Sequence, residues 1–204
     1  MSNENSAKNI ILNALVKKNP ILVSGMVIAP VVVTANTFLS AATLALTFSV
    51  ITFFTLVVSS FVPKRIVYTV RIILYTLIGA LVYVPSVIIL NSVIPGEISK
   101  MGIFFPLLIT NSLIISRSET IFFRESKGQM ILDIVFCIIG YDAAVLLYGL
   151  IREVLSAGTA GGKMLGMPYV FSALEYPFGG FILLGAAAAL FRFIFMTVKR
   201  AGQK

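Results

Sequence analysis

The chain has 204 residues, of which 58% are apolar and 12% charged. An average soluble domain carries about 25% charged residues. With a mean hydropathy of +1.01, this composition excludes a soluble globular domain, a disordered tail and a secreted disulfide scaffold. One cysteine excludes an internal disulfide and a multi-cysteine metal site, and the absence of His removes the usual neutral-pH proton carrier.

Residues 1–6 are polar, and no small-residue cleavage site follows an apolar core, so a cleaved leader is not expected. Ala7, Ile10, Ile11, Ala14 and Leu15 recur at helical spacing. They predict an amphipathic segment, 1–18, lying along a membrane surface. Asn19-Pro20 reads as a helix start, because Asn caps and Pro suits the first turn. The apolar run 21–33 that follows contains Pro30 and reaches only about 20 Å as a helix, against a hydrocarbon core of about 30 Å. It predicts a half-helix. Residues 38–62 and 67–90 are long enough to span, the second with a kink at Pro85. Residues 103–115 are again short, interrupted by Pro106 and by Thr110-Asn111-Ser112. Spans at 130–150 and 178–198 follow, separated by a Gly-rich stretch at 156–166.

The order is short, long, long, then short, long, long. The expected fold is an all-α polytopic membrane protein with six helices in two three-helix repeats, each opening on a half-helix. Three crossings per repeat is odd, so the second repeat is inverted relative to the first, an architecture that builds sites at the membrane midplane. The expected division is an N-terminal segment 1–18, one membrane domain 19–198 (repeats about 19–92 and 101–198) and a tail 199–204.

Six crossings place thirteen Lys and Arg on one side and Lys100, Arg152 and Lys163 on the other. The positive-inside rule then puts both termini in the cytoplasm. This asymmetry accounts for the net charge of +8 without a nucleic-acid partner.

Asp142 lies 12 residues into an apolar run and is the strongest intramembrane outlier. A carboxylate at that depth points to ion or proton handling or to a structural hydrogen bond. Asp133 is a second ion-pathway candidate, with an ion pair to Arg124 or Lys127 expected from its shallower depth. Arg152-Glu153 reads as a surface pair worth little. Arg192 has the reach to snorkel to the headgroups, Glu175 reads as a solvated loop charge, and Cys137 as a small buried hydrophobe. The run Gly185 to Ala189 suggests tight packing within the chain. No phosphate loop, dinucleotide fingerprint or nucleophile constellation is present, so no catalytic site is expected.

Several of these stretches resemble one family. Lys18-Asn19-Pro20, Gly25, Pro30 and Thr34 are similar to the first helix of the membrane subunits of the Rnf and Na⁺-pumping NADH:quinone oxidoreductase complexes. Met101-Gly-Ile-Phe-Phe-Pro106-Leu-Leu-Ile-Thr-Asn111 resembles the opening of their fourth helix. Asp133, Ile151-Arg152-Glu153 and Gly158-Thr159 resemble the E subunit of Rnf and the D subunit of the quinone reductase. The likeness covers about residues 8–198. It implies a bacterial inner-membrane subunit that pairs with an inverted paralogue, beside flavin-carrying and iron–sulfur subunits, in an electron-transport complex moving Na⁺ or H⁺. It also implies one Cys on each half-helix, the two subunits together holding one [2Fe–2S] cluster.

This sequence departs from the family at those positions. Ala29 stands where the first Cys is expected and Ser112 where the second is. A methyl group cannot ligate iron, and a serine hydroxyl is a poor replacement for thiolate. No cofactor bound by this chain is expected. Two readings remain: a scaffold or accessory subunit of an Rnf-like complex, or a small ion or solute transporter on the same inverted-repeat scaffold.

Overall fold

The computed structural model describes residues 19–120, 127–167 and 169–201. The expected amphipathic segment 1–18 and the tail end 202–204 lie outside them.

The fold is all-α apart from one small hairpin. Helix α1 (Ile28–Thr34) is followed by α2 (Phe38–Ser59), α3 (Tyr68–Val93) and the short α4 (Glu97–Lys100). Two 3₁₀ stretches, Gly102–Phe104 and Pro106–Thr110, lead into α5 (Ser112–Thr120). Then come α6 (Lys127–Ala157), strands β1 (Thr159–Ala160) and β2 (Lys163–Met164), a 3₁₀ turn at Ser172–Glu175, and α7 (Pro177–Ala201). Among the described residues four helices, α2, α3, α6 and α7, are long and apolar enough to cross a membrane. The chain is a multi-pass membrane protein.

Both expected half-helices differ from their predicted form. Residues 19–24 form a turn, and α1 begins only at Ile28, after Gly25 and Val27 adopt φ of +63° and +59°. A left-handed, β-branched Val27 is strained. Pro30 therefore falls within the first turn of α1, where its missing N–H is not needed. Residues 103–115 are not one helix either. The chain is extended at Asn111 (φ −71°, ψ 140°), and a new helix starts at Ser112. The Asn111 side chain specifies this break: its Oδ1 accepts from the Ile114 amide at 2.9 Å, and its Nδ2 donates to the Leu108 carbonyl at 2.9 Å. α5 then runs on to Thr120, into what the sequence presents as loop. α3 continues through Pro85.

The Gly-rich stretch is ordered. Thr159 pairs with Met164 and Ala160 with Lys163 in an antiparallel hairpin. Its two-residue turn is Gly161-Gly162, with φ of +58° and +80°, the left-handed pair that a tight hairpin of this kind requires.

α2 is the central element, packed along α6 and α3. Its Leu44, Phe48, Ile51 and Leu56 meet Ile134, Tyr141 and Val145 of α6 in the core. Small residues set the approach of the helices: a Cβ at Gly149 of α6 would collide with Ala41 of α2, and one at Gly79 of α3 would sit 3.1 Å from the Ile109 carbonyl. α3 is sided. Arg71, Tyr75, Gly79, Ser86 and Leu90 are buried, while Ile73, Leu77, Leu81, Val84 and Ile88 are exposed. Apolar outside and small or polar inside is the pattern of a helix facing lipid. The Gly185–Ala189 stripe does not pack within the chain as expected: α7 turns it outward, Gly185 is exposed and its Cβ position has nothing within 4 Å.

Candidate functional site

Asp142 lies fifteen residues from either end of α6 (Lys127–Ala157). A hydrocarbon core of about 30 Å covers about ten residues on each side of that midpoint. A core centred on Asp142 would run from about Asp133 to about Arg152. At the centre, Ser49 of α2 donates to Asp142 Oδ2 at 2.5 Å. Asp142 Oδ1 is enclosed and has no hydrogen-bond partner. A pocket of about 370 Å³ between α2 and α6 reaches both residues. The neighbouring Tyr141 faces elsewhere, its ring stacked on Phe48 with centroids 3.6 Å apart.

Asp133 is not a partner of Asp142. It pairs with Arg117 Nη1 at 2.7 Å, both side chains being nearly buried. The expected partners were Arg124, which lies outside the described residues, and Lys127, which instead sits over the Phe61 ring at 5.0 Å. The reason is the length of α5: its continuation past Asn111 carries Arg117 onto α6.

The reading of Arg152-Glu153 as a surface pair is overturned. Arg152 is fully buried and Glu153 is 2% exposed. The Arg152 guanidinium donates to the carbonyls of Val32 and Ala35 at the end of α1 and to those of Leu174, Glu175 and Tyr176 before α7. Glu153 accepts from the Phe38 amide at 2.7 Å, from the Thr159 hydroxyl at 2.9 Å and from the Gly162 amide at 2.9 Å. A cation at a helix C-terminus and a carboxylate at a helix N-terminus both match the helix dipole. Glu175 is exposed, as expected of a loop charge, and its carbonyl accepts from Arg152; Arg192 is exposed and Cys137 is buried.

A second polar cluster was not foreseen. Arg71 Nε donates to Glu119 Oε1 at 2.9 Å, Tyr75 donates to the same oxygen at 3.0 Å, and Arg71 Nη1 closes on the Lys64 and Ile66 carbonyls. Burial alone would raise the Glu119 carboxyl. Hydrogen bonds from Arg71 and Tyr75, with the charges of Arg71 and Lys64, outweigh that and hold it below the usual carboxylate range.

Ala29 and Ser112 each stand in the first turn of a helix, α1 and α5, and each is exposed. The donor set does not fit a cysteine-held iron–sulfur cluster. Ala29 offers carbon, Ser112 offers a hydroxyl, and the sole thiol, Cys137, is buried on α6 at 1% exposure.

Comparison with known proteins places these features. The family described as Rnf-Nqr subunit, membrane protein, matches residues 7–196. The E subunit of the ion-translocating oxidoreductase complex of Buchnera aphidicola subsp. Acyrthosiphon pisum (strain 5A) is 29% identical, over 95% of this chain and 92% of its own length. The protein of the same name from Sodalis glossinidius is 31% identical over 76% of this chain and 67% of its own length. That of Shewanella amazonensis is 33% identical over 74% and 66%. The chain belongs to the Rnf-Nqr family of membrane subunits.

Proposed function

We propose that the chain is an integral membrane subunit of an Rnf-like ion-translocating oxidoreductase complex, a scaffold or accessory subunit that ligates no cluster with its own side chains. It sits in the bacterial inner membrane with both termini in the cytoplasm, as the thirteen-to-three division of Lys and Arg favours. Its two halves, about 19–92 and 101–198, act as inverted repeats. Its partners are an inverted paralogous membrane subunit and the flavin-carrying and iron–sulfur subunits of the complex.

The observation that carries this reading is that Ala29 and Ser112 are both exposed, each in the first turn of its helix. The helices there begin at broken backbone, after the turn at 19–24 and after Asn111. Irregular backbone at membrane depth is found where protein covers it, so a protein surface against these exposed positions is expected. A similar inverted subunit supplies that surface.

The test is purification of the full chain from native membranes in mild detergent, with identification of the co-purifying subunits. Co-isolation with a paralogous membrane subunit and flavin-carrying or iron–sulfur subunits is expected. Isolation as a lone chain that moves a solute when reconstituted would overturn the proposal and favour a transporter on the same scaffold.

A further inference from the structure

We propose that Asp142 and Ser49 form an intramembrane site that takes up a proton and excludes alkali cations. The inference rests on the carboxyl and its surroundings and does not depend on which subunits the chain joins.

A carboxyl at the centre of a spanning helix is costly when charged and normally finds a cation or water. Asp142 has no ion pair among the described residues, while Asp133, on the same helix, has Arg117. No titratable group faces it from α2, because Phe38–Ser59 contains none. On α6 the nearest titratable side chains are Tyr141, stacked on Phe48, and the buried Cys137. The turn at 19–24 carries no titratable side chain, and its Asn19 Nδ2 donates to the Gly140 carbonyl at 2.8 Å. An unpaired charge in apolar surroundings neutralises rather than persists.

The identity of the bound ion follows from oxygen count and space. A hard cation needs several oxygen ligands around it. The pocket supplies the Ser49 hydroxyl and the Asp142 carboxyl, and the rest of its wall is carbon: Val50, Phe53, Phe54, Val135, Ile138 and Ile139. Asp142 Oδ1 is enclosed, so only one carboxylate oxygen and one hydroxyl are within reach of an incoming ion. Two protein oxygens are fewer than a cation stripped of its water takes, and they are enough for a proton, which needs no volume.

Ser49 suits both states of the site. A hydroxyl both donates and accepts. It donates to the carboxylate, and after protonation it accepts from the new carboxylic O–H. One proton is taken up, forming one O–H bond, one negative charge disappears, the Ser49 hydrogen bond reverses and no other covalent bond changes. Neither helix has to move.

The test uses the full chain in native membranes and dicyclohexylcarbodiimide, a lipid-soluble reagent that attacks protonated carboxyls. Adducts are mapped by mass spectrometry. Labelling at Asp142 is expected to fall as pH rises and to be unaffected by excess NaCl over KCl. Asp133, paired with Arg117, should stay unlabelled, and Asp142→Asn should abolish the adduct. Ser49→Ala should move the pH of half-labelling; an unchanged profile would remove Ser49 from the site. Protection by Na⁺ would identify a cation site and overturn the proposal. So would pH-independent labelling, or no adduct at Asp142 at any pH.

Discussion

Arg152 and Glu153, adjacent in sequence, hold the two sides of one corner: Arg152 donates to the Val32 and Ala35 carbonyls that end α1, and Glu153 accepts from the Phe38 amide that opens α2. Neighbours on a helix point in different directions. The corner at 35–37 lies between those directions, so one dipeptide of α6 fixes both helix ends.

Replacing Arg152 should therefore cost more than a surface charge does. Arg152→Ala removes a donor shared by five carbonyls, of which that of Tyr176 still accepts from the Gly180 amide. A buried carbonyl left without a donor costs about 1–3 kcal/mol, so a loss of at least that size is expected. Arg152→Lys should rescue little, because a point charge cannot reach groups on both sides as the planar fork does. Thermal unfolding in detergent measures both; a Lys variant as stable as the wild type would refute the account.

Gly149 tests the packing of α2 on α6. Gly149→Ala places a methyl group against Ala41, and overpacking of this kind costs about 1–3 kcal/mol. Ala41→Gly in the same chain should recover part of the loss. Additive losses in the double variant would show that the two positions do not meet.

The Arg71–Tyr75–Glu119 cluster predicts a pH dependence with a definite sign. The folded state holds the Glu119 carboxyl below its ordinary value, so folding favours the anion. The stabilisation is complete above the unfolded value and is lost as pH falls through the folded one. Acidification should lower the melting temperature, and Glu119→Gln should be less stable at neutral pH and lose that component of the acid sensitivity. An unchanged acid profile in the variant would count against the cluster.

Thiol reactivity checks the proposed partner face. Cys137 is buried and should resist maleimide in the detergent-solubilised chain. Cysteines introduced by Ala29→Cys or Ser112→Cys should react in the isolated chain and be protected in the intact complex. Protection that is absent from the complex would show that this face is not covered.

The same two positions give a test by iron content. A cluster held by cysteines needs four thiolates. Ala29→Cys with Ser112→Cys should raise the iron content of the complex only as a pair, and only if the partner contributes its own thiols. A reduced-state [2Fe–2S] paramagnetic signal in the unaltered complex that vanishes with Ser112→Ala would show that the hydroxyl is a ligand.

The sequence by itself determined the membrane, the four long spans, the shortness of the stretches before Phe38 and before Ser112, and the place of Asp142 inside an apolar run. Each follows from local composition: a long apolar run must be satisfied within itself as a helix, and a capping Asn resets the backbone where it stands. Tertiary structure alone decided which charges meet. Arg152 and Val32 are 120 residues apart, and Ser49 and Asp142 are 93 apart. Nothing in a local pattern distinguishes a charge at a helix end that faces water from one that turns inward onto another helix's carbonyls. The same holds for Asp133, whose partner was set by α5 extending beyond its apolar stretch to bring Arg117 across. Burial depends on which helix packs next, and that is a property of the assembled bundle.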